Sequence, residues 1–200
     1  MLSKQILDAI KDIIHIDVVL EIITGEKKLI LKENSKDSKI NKLHITNLPE
    51  NTFAFTLDHQ PKSKESRLYK QLSCYFNIGN NRINKGCDLV LLIPEENKLI
   101  ALIFDLKSDQ IKLEKTKIQL LNSELYVRYL MSMVKAHYQV NIDDIEYKQA
   151  VVSTIPRNGI NRNSTYKPND RKNQNQSFHI QKVKVQAKKQ AFVHIKALLQ

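Results

Sequence analysis

The chain is poor in the residues that bend and staple a polypeptide: of 200 residues, 4 are Gly, 5 are Pro and 2 are Cys. So few turn formers point to long elements joined by few tight turns. Cys74 and Cys87 are too few for a disulfide framework or a structural zinc site, and their surroundings read as core. A reducing, cytoplasmic setting is therefore expected. Nowhere do about 18 apolar residues run together, which excludes a membrane-spanning helix, and no membrane partner is expected. The apolar stretch Met1 to Gly25 is interrupted by Asp8, Asp12, Asp17 and Glu21 and is followed by no small-residue cleavage site, so it is expected to be mature structure. The six histidines, His15, His44, His59, His137, His179 and His194, show no metal-ligand spacing, which argues against zinc catalysis. A Gly-rich phosphate loop and a Gly-Xaa-Ser-Xaa-Gly elbow are also missing, so NTP-driven activity would need another chain.

What is present is an ordinary globular composition, 42% hydrophobic and 26% charged, with a strong basic excess of +11. The length suits one domain. Within it, residues 1–60 form a helix and strand extension, and residues 156–200 a basic C-terminal segment. From Pro156 to Gln190 the cations are Arg157, Arg162, Lys167, Arg171, Lys172, Lys182, Lys184, Lys188 and Lys189, against the single acid Asp170. Such an excess attracts a polyanion by counterion release, nucleic acid first and an acidic membrane surface second; the alternative is a solvated tail that aids solubility.

Helical spacing of Leu2, Ile6, Ile10, Ile13 and Ile14 predicts an amphipathic helix from Ser3 to about His15. Val18 to Ile23 and Lys28 to Lys32 flank Thr24-Gly25-Glu26 as a hairpin, and Asn34 to Asn41 reads as a polar connection. A third strand is expected over Thr52 to Leu57. Ser63 to Tyr75 carries Leu68, Leu72 and Tyr75 at helical spacing, and Asn77 to Gly86 reads as a loop. Past Lys107, Ser108 and Asp109 are N-cap types, and Ile118, Leu121, Leu125, Tyr129 and Met133 mark one stripe of a long helix reaching about His137. Tyr147 to Ile155 predicts a buried strand, Phe178 to Val185 a last strand, and Ala191 to Leu199 a short helix. The basic stretch Arg157 to Ser177 is low in apolar residues and expected to be mobile.

One segment carries chemistry. Asp88-Leu-Val-Leu-Leu-Ile-Pro-Glu-Glu-Asn-Lys-Leu-Ile-Ala-Leu-Ile-Phe-Asp105-Leu-Lys107 is two uninterrupted apolar runs about a polar turn at Pro94 to Lys98. Such runs predict strands buried on both faces. With the turn centred near Glu96, Asp88 falls opposite Asp105, and Lys107 shares the face of Asp105. Two carboxylates that close repel and are costly to desolvate, and a divalent cation offsets both effects. Acid-Xaa-Lys triplets recur elsewhere, as in Glu26-Lys-Lys28, Asp37-Ser-Lys39, Glu96-Asn-Lys98, Glu146-Tyr-Lys148 and Asp170-Arg-Lys172. Most lie in turns or polar loops; only Asp105 ends a long buried strand whose antiparallel partner begins with an acid.

A carboxylate, then an acid-Xaa-Lys triplet a strand's length later, then a long helix and a further strand resembles the PD-(D/E)xK nuclease superfamily over about Arg67 to Ile155. The resemblance implies an α/β (α+β) fold with a central mixed sheet flanked by helices, and a restriction-endonuclease-like core. It implies Asp88 and Asp105 as ligands of Mg²⁺ or Mn²⁺, Lys107 as the residue serving the attacking water, and DNA as the substrate. Cys87 stands where the name-giving proline would be, and the second acid is Asp, not the commoner Glu. Further candidates are Glu65, an extra helix acid or a solvated one; Gln119, which orients the water or faces solvent; and Ser108, a phosphate contact or an N-cap. Asn122 and Ser123 lie on the same helix, and Asp58 with His59 either approach substrate or serve a turn. The alternative on the same fold is an inactive nucleic-acid-binding or assembly subunit. A homodimer would suit double-strand cutting.

Overall fold

The computed structural model describes residues 2–33, 38–59, 83–96, 98–107, 113–155, 180–186 and 188–200. The elements in chain order are α1 (Leu2–Ile13), β1 (Ile22–Ile23), β2 (Lys28–Lys32), β3 (Lys42–Thr46), β4 (Phe53–Phe55), β5 (Leu89–Pro94) and β6 (Leu99–Lys107). After these come α2 (Leu113–Tyr138), β7 (Ile145–Ile155), β8 (Ile180–Gln186), β9 (Gln190–His194) and α3 (Ile195–Leu198).

The fold is mixed α+β with two mixed sheets, one of order β4-β5-β6-β7-β8 and one of order β1-β2-β3-β9. In the larger sheet β4, β5 and β6 run antiparallel in sequence. β7 then joins β6 in parallel, which requires a long crossover, and α2 supplies it. β5 and β6 are buried on both faces, as their unbroken apolar runs predict. Along β6, Ile100, Leu102, Phe104 and Leu106 enter a core shared with the smaller sheet, while Leu99, Ala101 and Ile103 enter a second core under α1 and α2. The larger sheet is thus covered by helices on one face and by a sheet on the other. Helices on both faces would have left Leu29, Leu31, Leu43 and Ile45 of the smaller sheet without the apolar surface that now buries them. Each such buried aliphatic side chain contributes about 1.5–3 kcal/mol.

Several expectations shift. Lys42–Thr46, which no strand was expected to occupy, is the centre of the smaller sheet, antiparallel to β2 and parallel to β9. Ala191 to Leu199 is not one helix: its first part belongs to β9, and only Ile195–Leu198 is helical. β9 alternates buried Ala191 and Val193 with exposed Gln190, Phe192 and His194, a period of two that overrides the local helical appearance. On α2 the buried face is Thr116, Leu120, Ser123, Glu124, Val127, Met131 and Val134, while Ile118, Leu125 and Tyr129 are exposed. The helix is therefore rotated from the stripe its apolar residues mark. The true inner face hides polar groups that have internal partners: Ser123 donates to the Gln119 carbonyl, and Glu124 accepts from Arg128 and from buried Gln149. Among the described residues no helix is long and apolar enough to cross a membrane. The helix expected over Ser63 to Tyr75 and the basic stretch Arg157 to Ser177 lie outside the described residues.

Candidate active site

β5 pairs with β6 so that Leu89 faces Phe104, and the next position outward sets Asp88 against Asp105. Asp105 and Lys107 follow Leu99, Ala101 and Ile103 on the helix side of β6. Asp88, two residues before Val90, has the same sidedness on β5. The three residues singled out from the sequence therefore meet at the end of the hairpin away from its turn.

Asp105 is wholly buried, and its Oδ2 lies 2.5 Å from Lys107 Nζ, whose side chain is 30% exposed. That approach is close but misaligned, and Asp105 Oδ2 has no hydrogen-bond partner among the described residues. Asp88 Oδ2 accepts the Leu106 backbone N–H at 2.6 Å. Gln119, in the second turn of α2, closes the arrangement. Its Nε2 donates to Asp105 Oδ1 at 3.2 Å and to the Gly86 carbonyl at 2.6 Å, and its Oε1 accepts from Lys107 Nζ at 3.1 Å. Gln119 faces the sheet, not solvent.

Gly86 is fixed by sterics. A Cβ there would meet the Leu57 carbonyl oxygen at 2.2 Å, so only glycine lets the chain pass this close to β4's exit. The same passage presents the Gly86 carbonyl to Gln119. Next to it Cys87 is buried and donates to the Leu89 carbonyl, and burial pushes its thiol up to about 12, so it is a packing residue and not a nucleophile.

The electrostatics follow from burial. Desolvation pushes Asp88 well above the usual carboxylate range and the adjacent Asp105 pushes it further, against the Leu106 N–H and Lys107. Desolvation also raises Asp105, while the Lys107 ammonium and Asp88 pull it back and Glu33 adds to the rise. The two carboxyls titrate as a coupled pair that holds a proton more tightly than two separate Asp side chains would.

An open cleft of about 650 Å³ leads to Asp88 and Leu106, walled by Ile30, Lys32 and Glu33 of and after β2 and by Thr56, Asp58 and His59 after β4. Asp58 is raised by burial first and by Asp105 second, which places it within the site's field. Glu33 is a residue that sequence reasoning missed. Its only signal in the sequence is that it ends a strand, a position that becomes informative once β2 is known to border the cleft.

Lys182 and Lys184 on β8 are exposed. The registers put Asp105, Val151 and Lys182 in one row across the sheet, and Lys107, Ser153 and Lys184 in the next. Two strand spacings separate each lysine from the site, about 10 Å. Glu65, Ser108, Arg157, Arg162, Lys167, Arg171 and Lys172 lie outside the described residues.

Among the described residues no group of three or more His, Cys, Asp or Glu side chains comes together in a metal-holding arrangement. The protein's share is instead a buried carboxylate pair, Asp88 and Asp105, with the Lys107 ammonium 2.5 Å from Asp105 Oδ2. This fits a hard cation that keeps several of its waters, such as Mg²⁺ or Mn²⁺, and does not fit zinc or an all-protein calcium cage.

No protein-family model, curated protein or solved structure matches the chain.

Proposed function

We propose that the chain is a metal-dependent nuclease of the PD-(D/E)xK kind that hydrolyses phosphodiester bonds of DNA. The observation that carries this reading is the convergence of Asp88, Asp105 and Lys107 at one end of the hairpin, with the wholly buried Asp105 carboxylate set between the Lys107 ammonium and the equally buried Asp88. The order of elements supports it: a carboxylate-bearing antiparallel hairpin, a helix laid over it, then a parallel strand beside the second acid.

Asp88 and Asp105 would hold Mg²⁺ or Mn²⁺, which when bound polarises the phosphoryl group and acidifies the attacking water. Lys107 supplies a positive charge and three N–H donors at the rim of the pair, suited to a water nucleophile or to charge developing on phosphate. Gln119 acts as a positioning residue, because its amide fixes the Lys107 ammonium against Asp105 and ties both to Gly86. Lys182 and Lys184 continue the site's face with positive charge, where a phosphate backbone gains register but no base preference. A cytoplasmic setting and a homodimer with two sites for the two strands belong to the same proposal.

A second reading has its own observation. Lys107 and Asp105 form a closed ion pair with Gln119 filling the remaining bonds, which is also how a structural relic on a nucleic-acid-binding subunit would look. Plasmid cleavage in Mn²⁺ separates the two. Nicking or linearisation by the wild type, abolished by Asp105→Ala, supports the nuclease; retardation of the plasmid with no cleavage supports the binding subunit. Calorimetric titration of Mn²⁺ into wild type and Asp88→Ala tests the ion itself, and no heat of binding to wild type would remove the metal from the proposal.

A further inference from the structure

The smaller sheet has a face on which no described helix or strand is seen to pack. Leu29, Leu31, Leu43, Ile45, Ala191 and Val193 turn inward, so the alternate residues of β2, β3 and β9 turn outward. The registers arrange them in three rows: Lys32, Lys42 and Gln190; Ile30, His44 and Phe192; Lys28, Thr46 and His194. In the middle row the rings of His44 and Phe192 stack at 4.5 Å between centroids and 20° between planes. Phe192 is nevertheless 63% exposed, while His44 beside it is buried.

Two features set this surface apart from a chance aromatic on a sheet. The first is charge. Lys28, Lys32 and Lys42 line its two outer rows; Glu26 offsets only Lys28, and among the described residues Lys32 and Lys42 have no ion-pair partner. The second is His44. Among the described residues neither ring nitrogen has a hydrogen bond of normal geometry, although the Gln190 side chain lies close enough to act as a hydrogen-bond partner. Burial, Lys28 and Lys42 all hold the imidazole below its usual pKa, so it stacks as a neutral ring.

We propose that this face, centred on Phe192 and His44 and flanked by Lys32 and Lys42, is a docking platform for an unpaired nucleic-acid strand. Bases stack on the exposed Phe192 ring, and phosphates lie against the lysines. Stacking on aromatics within a basic groove is the mode that tolerates any base, because every base has a flat π-face. The platform is continuous with the candidate active site: Ile30 and Lys32, which belong to its rows, also wall the cleft that ends at Asp88. A strand leaving Phe192 along its row crosses His44 and Ile30 and enters that cleft. Only this last step rests on the nuclease reading; binding to the platform stands without it.

The test uses the full-length chain in EDTA, with divalent cations chelated, titrated into fluorescein-labelled single-stranded oligonucleotide and into duplex of the same sequence. Phe192→Ala is expected to weaken single-strand binding by about 5- to 100-fold, the equivalent of one base stack removed, with duplex binding unchanged and Phe192→Trp retaining affinity. Lys32→Gln with Lys42→Gln is expected to flatten the salt dependence of single-strand binding, by about 0.7 in log–log slope for each phosphate that is no longer neutralised. Because Phe192 is exposed, its removal leaves the core intact, and circular dichroism checks that. Unchanged single-strand affinity in Phe192→Ala overturns the proposal, as does an equal weakening for duplex. Phe192-dependent binding to vesicles of anionic phospholipid without binding to oligonucleotide also overturns it. Phe192-dependent strand binding by a protein that cleaves nothing in Mn²⁺ sustains the platform and removes the nuclease.

Discussion

The two ends of the β5–β6 hairpin carry the same residue types and do opposite things with them. At the turn end Lys98 approaches Glu95 and, at 2.5 Å, Glu146, and Glu146 also pairs with Lys148. All of these side chains reach water, and hydrogen bonds from Lys98 and Lys148 bring Glu146 below its ordinary pKa. At the other end burial raises both Asp88 and Asp105, and one lysine cannot reverse it. Acid-Xaa-Lys triplets occur at both ends, so residue identity does not separate a candidate site from a solvated surface cluster. The separating variable is desolvation, which turns a stabilising pair into a strained one with a use for a cation.

Breaking the buried end has the largest expected effect. Asp105→Asn should lower plasmid cleavage in Mn²⁺ by about 10²–10³-fold or more, the scale of removing one electrostatic interaction at a reacting centre, while Glu146→Gln should leave the rate unchanged. Equal effects of the two would erase the distinction. Next comes the steric frame. Gly86→Ala drives a Cβ into the Leu57 carbonyl and should cost about 1–3 kcal/mol in urea unfolding, whereas Gly25→Ala, at the tip of the β1–β2 hairpin with nothing within 4 Å, should shift stability little.

A pH comparison sharpens the contrast. Asp88 and Asp105 have raised folded-state pKa values, so the folded state binds their protons more tightly than the unfolded state does. Their contribution to stability is complete below the unfolded value of about 3.9 and is lost as pH rises through the folded values. His44 has the opposite sign: its pKa is lowered, so its contribution is present above about 6.5 and is lost as pH falls through the folded value. Subtracting the unfolding profile of Asp88→Asn from that of wild type in EDTA isolates the carboxylate pair. Wild type should lose stability relative to the variant as pH rises, and Mn²⁺ at a hundredfold excess over its Kd should return about 2.7 kcal/mol to wild type alone. A flat difference profile would mean that folding does not raise the Asp88 carboxyl.

The smallest effects belong to Gln119→Leu and Lys98→Ala. The first leaves both metal-binding carboxylates and should reduce kcat by about tenfold through misplacement of Lys107, with Mn²⁺ affinity retained; a matching drop in Mn²⁺ binding would make Gln119 structural. The second should not move the urea midpoint measurably, because the Lys98 pairs are solvated and salt-screened.

How much of this is legible in the sequence depends on distance along the chain. The hairpin register and the shared face of Asp105 and Lys107 are local, set by strand alternation, and so can be read from the residues alone. β3 cannot, because Lys42-Leu-His-Ile-Thr46 is short and half polar, and its other partner, β9, lies near the far end of the sequence. The face of α2 misleads for a different reason. Its exposed stripe of Ile118, Leu125 and Tyr129 is as apolar as a core, while its buried stripe contains Thr116, Ser123 and Glu124. Hydrophobicity cannot reveal a polar group whose partner sits on another element, and the same holds for Gln119, whose aim at the sheet is decided by Gly86 and Asp105. Glu33 stays hidden because it lines a wall that exists only after two sheets have packed.

The parallel pairing of β3 with β9 governs when the molecule becomes whole. During synthesis the carboxylate hairpin and α2 emerge well before β9, so the smaller sheet waits for a distant segment to close it, a slow, high-contact-order step. The β2 wall of the cleft belongs to that late-completed sheet. A growing polypeptide therefore carries its acidic pair before the sheet that walls the cleft beside it is complete.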